Sequence, residues 1–113
     1  MKSKILALSK NEEFKFLINE KKLSNKYVTI FFGILNNKSK KKLNISFVTK
    51  KKIGNAIKRN KIKRRLRNII NDAVKQISIK FDYSYLVIAK PTMLNSDFKN
   101  IKETLFREFK RIK

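Results

Sequence analysis

The apolar residues of this chain change their spacing several times, and each change marks an element. Phe14, Leu17 and Ile18 recur at helical spacing behind Ser9-Lys10-Asn11-Glu12. That tetrad fits a capping box, in which the Ser hydroxyl and the Glu carboxylate each satisfy a free backbone N–H at a helix start. A short helix running to about Glu20 is expected. From Tyr27 to Leu35 the residues are β-branched or aromatic with only Gly33 as a breaker, and Val28, Ile30, Phe32 and Ile34 share one face of an extended strand. Asn36 to Lys42 is polar and basic and reads as a loop. After it Leu43, Ile45 and Phe47 alternate with Asn44 and Ser46, which predicts a second strand paired antiparallel with the first.

Gly54-Asn55 interrupts the alternation, and Asn55 is suited to cap a long helix from about Ala56 to Ile79. Within it Ile62, Leu66, Ile69, Ile70, Ala73 and Ile77 form one apolar stripe. Ser84 to Ala89 is almost continuously apolar, the mark of a strand covered on both faces, and Pro91 ends it. Strand, helix and strand together suggest a parallel crossover. Behind the capping residues Asn95 and Ser96, Phe98, Ile101, Leu105, Phe109 and Ile112 recur every three or four positions and predict a closing amphipathic helix. The expected fold is one α+β domain over residues 1–113, of element order α-β-β-(β)-α-β-α with a mixed sheet. No internal repeat is present.

Charge changes this picture more than composition does. The 113 residues carry a formal net charge of +22, and self-repulsion on that scale destabilises a small fold unless a polyanion neutralises it. Between Glu20 and Asp72 there are 17 Lys or Arg and no acid. The chain has no Cys, which excludes a disulfide framework and thiolate metal sites, and no His, the commonest general base and metal ligand. No stretch approaches the roughly 20 apolar residues of a membrane span, and no N-terminal apolar run suits a secretory signal, so a cytoplasmic protein is expected. The eight acids are scattered without a recognisable ligand spacing, which argues against a self-sufficient protein nuclease.

Ten of the cations fall between Lys50 and Arg67, many of them on the first turns of the long helix, where the macrodipole is already positive. Asn60, Lys63, Arg64 and Arg67 occupy one arc of about 100° beside the apolar stripe. Arginine forks match phosphate oxygens, lysine adds a mobile point charge, and asparagine can read base or 2′-hydroxyl edges. A solvated charged face is the plain alternative, but it would normally intersperse Glu or Asp at i,i+4. Binding to an anionic membrane is a further alternative, against which the apolar stripe is already claimed by the core.

Lys51-Lys52-Ile53-Gly54-Asn55-Ala56-Ile57-Lys58-Arg59-Asn60-Lys61-Ile62-Lys63-Arg64-Arg65-Leu66-Arg67 resembles the signature of the bacterial ribonuclease P protein family, K-x-G-N-A-V-x-R-N-x-x-K-R-x-x-R, with Ile57 in place of the usual Val. Leu8 to Phe14 looks like that family's opening helix, and Tyr85 to Pro91 like its last strand. Asn44 to Lys50 departs from the family's small-residue strand. The resemblance implies an α/β sandwich whose crossover is left-handed, against the general rule. It also implies an accessory subunit of an endoribonuclease that removes the 5′ leader of precursor tRNA, with the chemistry carried by a catalytic RNA and Mg²⁺ held chiefly by RNA. The implied partners are that RNA and precursor tRNA, with no membrane and no obligate protein partner.

On this reading Lys51, Lys52, Asn55, Lys58, Arg59, Asn60, Lys63, Arg64 and Arg67 would meet RNA. Phe14 and Phe32 would stand in a cleft that holds the single-stranded leader. Ile18 falls where the family often places another Phe. A structural ribosomal protein or a general RNA chaperone is the alternative of a different class, sharing size and charge but needing no substrate cleft.

Overall fold

Ser84–Ala89 (β5), buried at every position but Ile88, takes the middle of the sheet because it alone is apolar enough to be covered from both sides. The computed structural model describes residues 5–6, 11–35 and 42–112. Around β5 lie Ile5–Leu6 (β1), Lys21–Ser24 (β2), Val28–Gly33 (β3) and Leu43–Val48 (β4), in the spatial order β1-β4-β5-β3-β2. The helices are Asn11–Leu17 (α1), Ala56–Gln76 (α2) and Phe98–Arg111 (α3), and 3₁₀ turns at Lys51–Ile53 and Pro91–Leu94 precede α2 and α3. The fold is mixed α+β, as expected, with β2 filling the optional third strand between the first two helices.

Strand neighbours correct one expectation. β3 and β4 do not pair; β5 lies between them, antiparallel to β3 and parallel to β4. Alternation along β3 and β4 identifies which residues face the core, but it carries no information about which strand lies alongside. The β4–α2–β5 unit is the expected parallel crossover.

The sheet separates two apolar clusters of unequal size. Beneath α2 and α3, Val28, Ile30, Phe32, Leu43, Ile45, Tyr85 and Val87 of the sheet pack with Ile62, Leu66, Ile69 and Ile70 of α2 and with Ile101, Leu105 and Phe109 of α3. The intervening residues Phe31, Val48, Leu86 and Ile88 face the other way and pack with Phe14 and Leu17 of α1. Tyr85 sits within the larger cluster, where its hydroxyl donates to the Lys80 carbonyl at 2.7 Å. Burial pushes its pKa far above the usual phenol range, and Tyr83 and Asp82 add to the shift.

Element ends differ modestly from the sequence reading. α2 stops at Gln76, with Ile77 extended and half-buried, and α1 stops at Leu17, leaving Ile18 48% exposed. Ile34 falls beyond β3 and is 58% exposed. Asp97 is the capping position of α3, although its side chain makes no capping hydrogen bond, and the Ser96 hydroxyl donates instead to the Thr92 carbonyl at 2.7 Å. Ser9 and Lys10 of the expected capping box lie outside the described residues, as do residues 36–41 of the basic loop.

The entry into α2 is built as its sequence suggests. Asn55 accepts the Lys58 N–H on its side-chain oxygen at 3.0 Å, and Gly54 turns the chain at a φ of +154°, a conformation L side chains rarely adopt. A Cβ there would also meet the Lys58 Cδ at 2.9 Å. Replacing Asn55 with Ala is expected to lower stability by about 1 kcal/mol in urea denaturation, and replacing it with Gly by only a few tenths.

Candidate nucleic-acid interface

α2 divides its circumference by residue type. Ile62, Leu66, Ile69, Ile70 and Ala73 are buried against the sheet and α3. Asn60, Arg64 and Arg67 are exposed on the outward side and Lys63 is half-buried beside them, so the arc read from spacing is a ridge on the surface. Among the described residues no carboxylate neutralises Lys63, Arg64 or Arg67. The ion pairs seen here include Lys102–Asp72 at 2.9 Å, between α3 and α2, and Arg111–Glu108 at 3.5 Å within α3. A ridge of unpaired cations is a field source directed at solvent, capable of condensing a polyanion.

The other basic positions extend this surface. Lys51 and Lys52 are exposed on the 3₁₀ turn, and Asn55 and Lys58 are exposed at the start of α2, whose first turn has no acid. Arg59 is half-buried, and its Nε is buried without a hydrogen-bond partner among the described residues. Ile57 is 78% exposed within the same turns, an apolar contact offered in the midst of charge.

The two aromatic residues expected in a cleft part company. Phe14 is half-buried on α1, packed against the smaller cluster of Leu17 and Leu86. Phe32 is on the opposite face of the sheet: it is 7% exposed in the larger core, edge-on to Tyr83 at 5.3 Å and stacked on Tyr85 at 6.4 Å. It has no free ring face to offer, so its assignment to the cleft is corrected. Its neighbour Phe31, half-buried, is the residue that shares the α1 side with Phe14.

Strand parity held that signal. Val28, Ile30 and Phe32 are one set by alternation, and a residue meant for the other face had to be odd-numbered. The strand registers place Lys22, Phe31, Leu86 and Ser46 in one row across β2, β3, β5 and β4 on the α1 side. Ser24, Thr29, Ile88 and Val48 form the next row, with the Ser24 and Thr29 hydroxyls 3.2 Å apart. A cation, an aromatic ring and hydroxyls thus alternate across one sheet face, beside the exposed Phe16 and Ile18 of the α1 segment.

No three His, Cys, Asp or Glu side chains come together among the described residues in a way that could hold a metal ion. No helix among them is long and apolar enough to cross a membrane.

Comparison with known proteins agrees with the motif. Residues 3–113 match the family model described as Ribonuclease P. The ribonuclease P protein component of Mesoplasma florum is 36% identical over 104 residues, covering 91% of each chain. That of Carboxydothermus hydrogenoformans is 33% identical over 110 residues, covering 94% of this chain and 90% of the relative. Among solved structures, the RNase P protein from Thermotoga maritima superposes with a TM-score of 0.80 at 26% identity, over 96% of this chain and 98% of that one. The Staphylococcus aureus RNase P protein, at 22% identity and a TM-score of 0.77, shares the fold. These comparisons give no support to a ribosomal protein or an RNA chaperone.

Proposed function

This chain belongs to the ribonuclease P protein family, whose members are accessory subunits of an endoribonuclease that matures tRNA 5′ ends, and we propose that it divides its two tasks between the two sides of its sheet. The ridge of Asn60, Lys63, Arg64 and Arg67, extended by Lys51, Lys52, Asn55, Lys58 and Arg59, docks the catalytic RNA. The α1 side of the sheet holds the single-stranded 5′ leader of precursor tRNA, with Phe14 and Phe31 as stacking platforms and Lys22 beside the backbone. The observation that carries this reading is the exposed, acid-free ridge on α2.

The chemistry follows from what the chain lacks in sequence. Without His or Cys, it has few groups suited to general-base work near neutral pH. Its contribution is therefore binding energy and orientation: neutralising phosphates so that catalytic RNA and substrate can approach, and gripping the leader so that precursor is preferred over product. Mg²⁺ is carried by RNA phosphates in this scheme, and the assembly works in the cytoplasm.

Reconstitution tests the whole reading. Adding this chain to its cognate catalytic RNA at low Mg²⁺ should restore leader removal, omission of either component should abolish it under those conditions, and a basic ribosomal protein should not substitute. Cleavage by the protein alone would overturn the division of labour. Phe31→Ala is expected to weaken precursor tRNA by about tenfold, within the ~1–3 kcal/mol of one base–aromatic stack, and to leave mature tRNA unchanged. Phe32→Ala, a core truncation, should instead cost about 3–5 kcal/mol of stability and disturb both tRNAs alike. Equal losses for the two tRNAs with Phe31→Ala would remove the leader from this face.

A further inference from the structure

Lys58, Lys61, Ile62 and Arg65 lie on a different side of α2, roughly 140° round the helix from the ridge. Together with Met93, Leu94 and Asn95 from the 3₁₀ turn at Pro91–Leu94 and its end, they line a cavity of about 250 Å³. Ile62 and Met93, at 1% and 0% exposure, lie beneath it, and Leu94 is the half-buried apolar residue at its surface. Lys58 and Lys61 are exposed and Arg65 half-buried, and no carboxylate is among the lining residues. Three like charges gathered at one mouth repel one another, and the positive end of the α2 dipole adds to the potential there; a bound anion reverses the sign of both effects.

We propose that this cavity takes one unstacked nucleotide of the catalytic RNA, with its base on the half-buried Leu94, above Met93 and Ile62, and its phosphate among Lys58, Lys61 and Arg65. The inference rests on the RNA-docking reading above and adds to it a base-holding pocket that shares Lys58 with the docking surface but lies on another side of the helix from Asn60, Lys63, Arg64 and Arg67. Size favours a single base: sites that enclose whole small-molecule ligands run to roughly 300–1,000 Å³, so about 250 Å³ suits one ring system with its phosphate outside. The lining suits it too. A guanidinium plane can stack on a base, and the Asn95 amide can both donate to and accept from a base edge. The leader is not the occupant, because the face assigned to it is on the α1 side of the sheet whereas this cavity opens beside α2.

Methionine makes the test selective, since the chain has only Met1 and Met93. Protein labelled with ¹³C-methyl methionine is bound to the catalytic RNA and its methyl resonances are followed. Insertion of a base predicts an upfield, ring-current displacement of the Met93 signal, and inorganic phosphate alone should leave that signal in place. The double variant Lys61→Ala, Arg65→Ala should lose roughly tenfold in RNA affinity and, at saturating RNA, lose the displacement. Arg64→Ala, on the ridge, should weaken binding yet keep the displacement at saturation. A saturated complex whose Met93 signal stays at its free position would overturn the pocket while leaving the docking surface intact. Failure to bind the RNA at all would overturn both. Displacement by phosphate alone would show that no base is being sensed and would also overturn the pocket.

Discussion

Changing Lys63, Arg64 and Arg67 together to Ala should flatten the log–log salt dependence of binding to the catalytic RNA by about 2–3 units. Each phosphate contact contributes a slope of roughly −0.7 to −0.9 through released counterions, and three contacts are removed. The expectation depends on the ridge cations being unpaired among the described residues, since a cation already held by a carboxylate would release fewer counterions on binding. Filter binding or fluorescence anisotropy across a salt series provides the measurement. An unchanged slope would place the RNA elsewhere on the molecule. Because these side chains stand outside the core, the triple variant should unfold close to the wild-type urea midpoint, or above it, as three mutually repelling charges are lost.

A loss of stability as large as that of Phe32→Ala is expected from Phe109→Ala. Phe109 is 2% exposed on α3 and meets the Tyr85 ring edge-on at 5.5 Å, joining the closing helix to the central strand. Truncation of a buried Phe costs about 3–5 kcal/mol, against the roughly 5–15 kcal/mol by which such domains are stable. Urea denaturation should therefore show the variant close to the edge of folding without RNA. Adding catalytic RNA in excess should recover folded protein, since a ligand that binds only the native state raises its population by mass action. A variant with wild-type stability would mean that α3 contributes little to the core.

Much of this molecule was legible in its residue spacing because the two relevant periods are so clean. The stripe of Ile62, Leu66, Ile69, Ile70 and Ala73 on α2 and the continuous apolar run of β5 each admitted one reading, and both are buried as that reading requires. The ridge was legible for the same reason: once the stripe is fixed, Asn60, Arg64 and Arg67 have nowhere to point but outward. What spacing could not supply was adjacency. The placement of β5 between β3 and β4 depends on long-range contacts that leave no local periodic trace.

Other features were missed for different reasons. Parity with Val28 and Ile30 puts Phe32 in the core, a more direct physical signal than its resemblance to a family position. The short β1 pairs with β4 through only two residues, too few to show a period. Lys61 and Arg65 fall away from the ridge, and the approach of the Pro91–Leu94 turn, which spacing does not show, gives their side of α2 a concave surface.

The adjacency of Phe31 and Phe32 has an evolutionary side. A single-residue slip of β3 would still present a phenylalanine to each side of the sheet, so aromatic content alone cannot police the alignment of this strand. The discrimination falls to Thr29, whose hydroxyl would leave Ser24 and be driven among apolar side chains, and to Gly33, where any Cβ would come within 2.9 Å of the Glu20 Cγ. Insertions or deletions between Val28 and Gly33 should accordingly be rarer among functioning variants than substitutions at either phenylalanine.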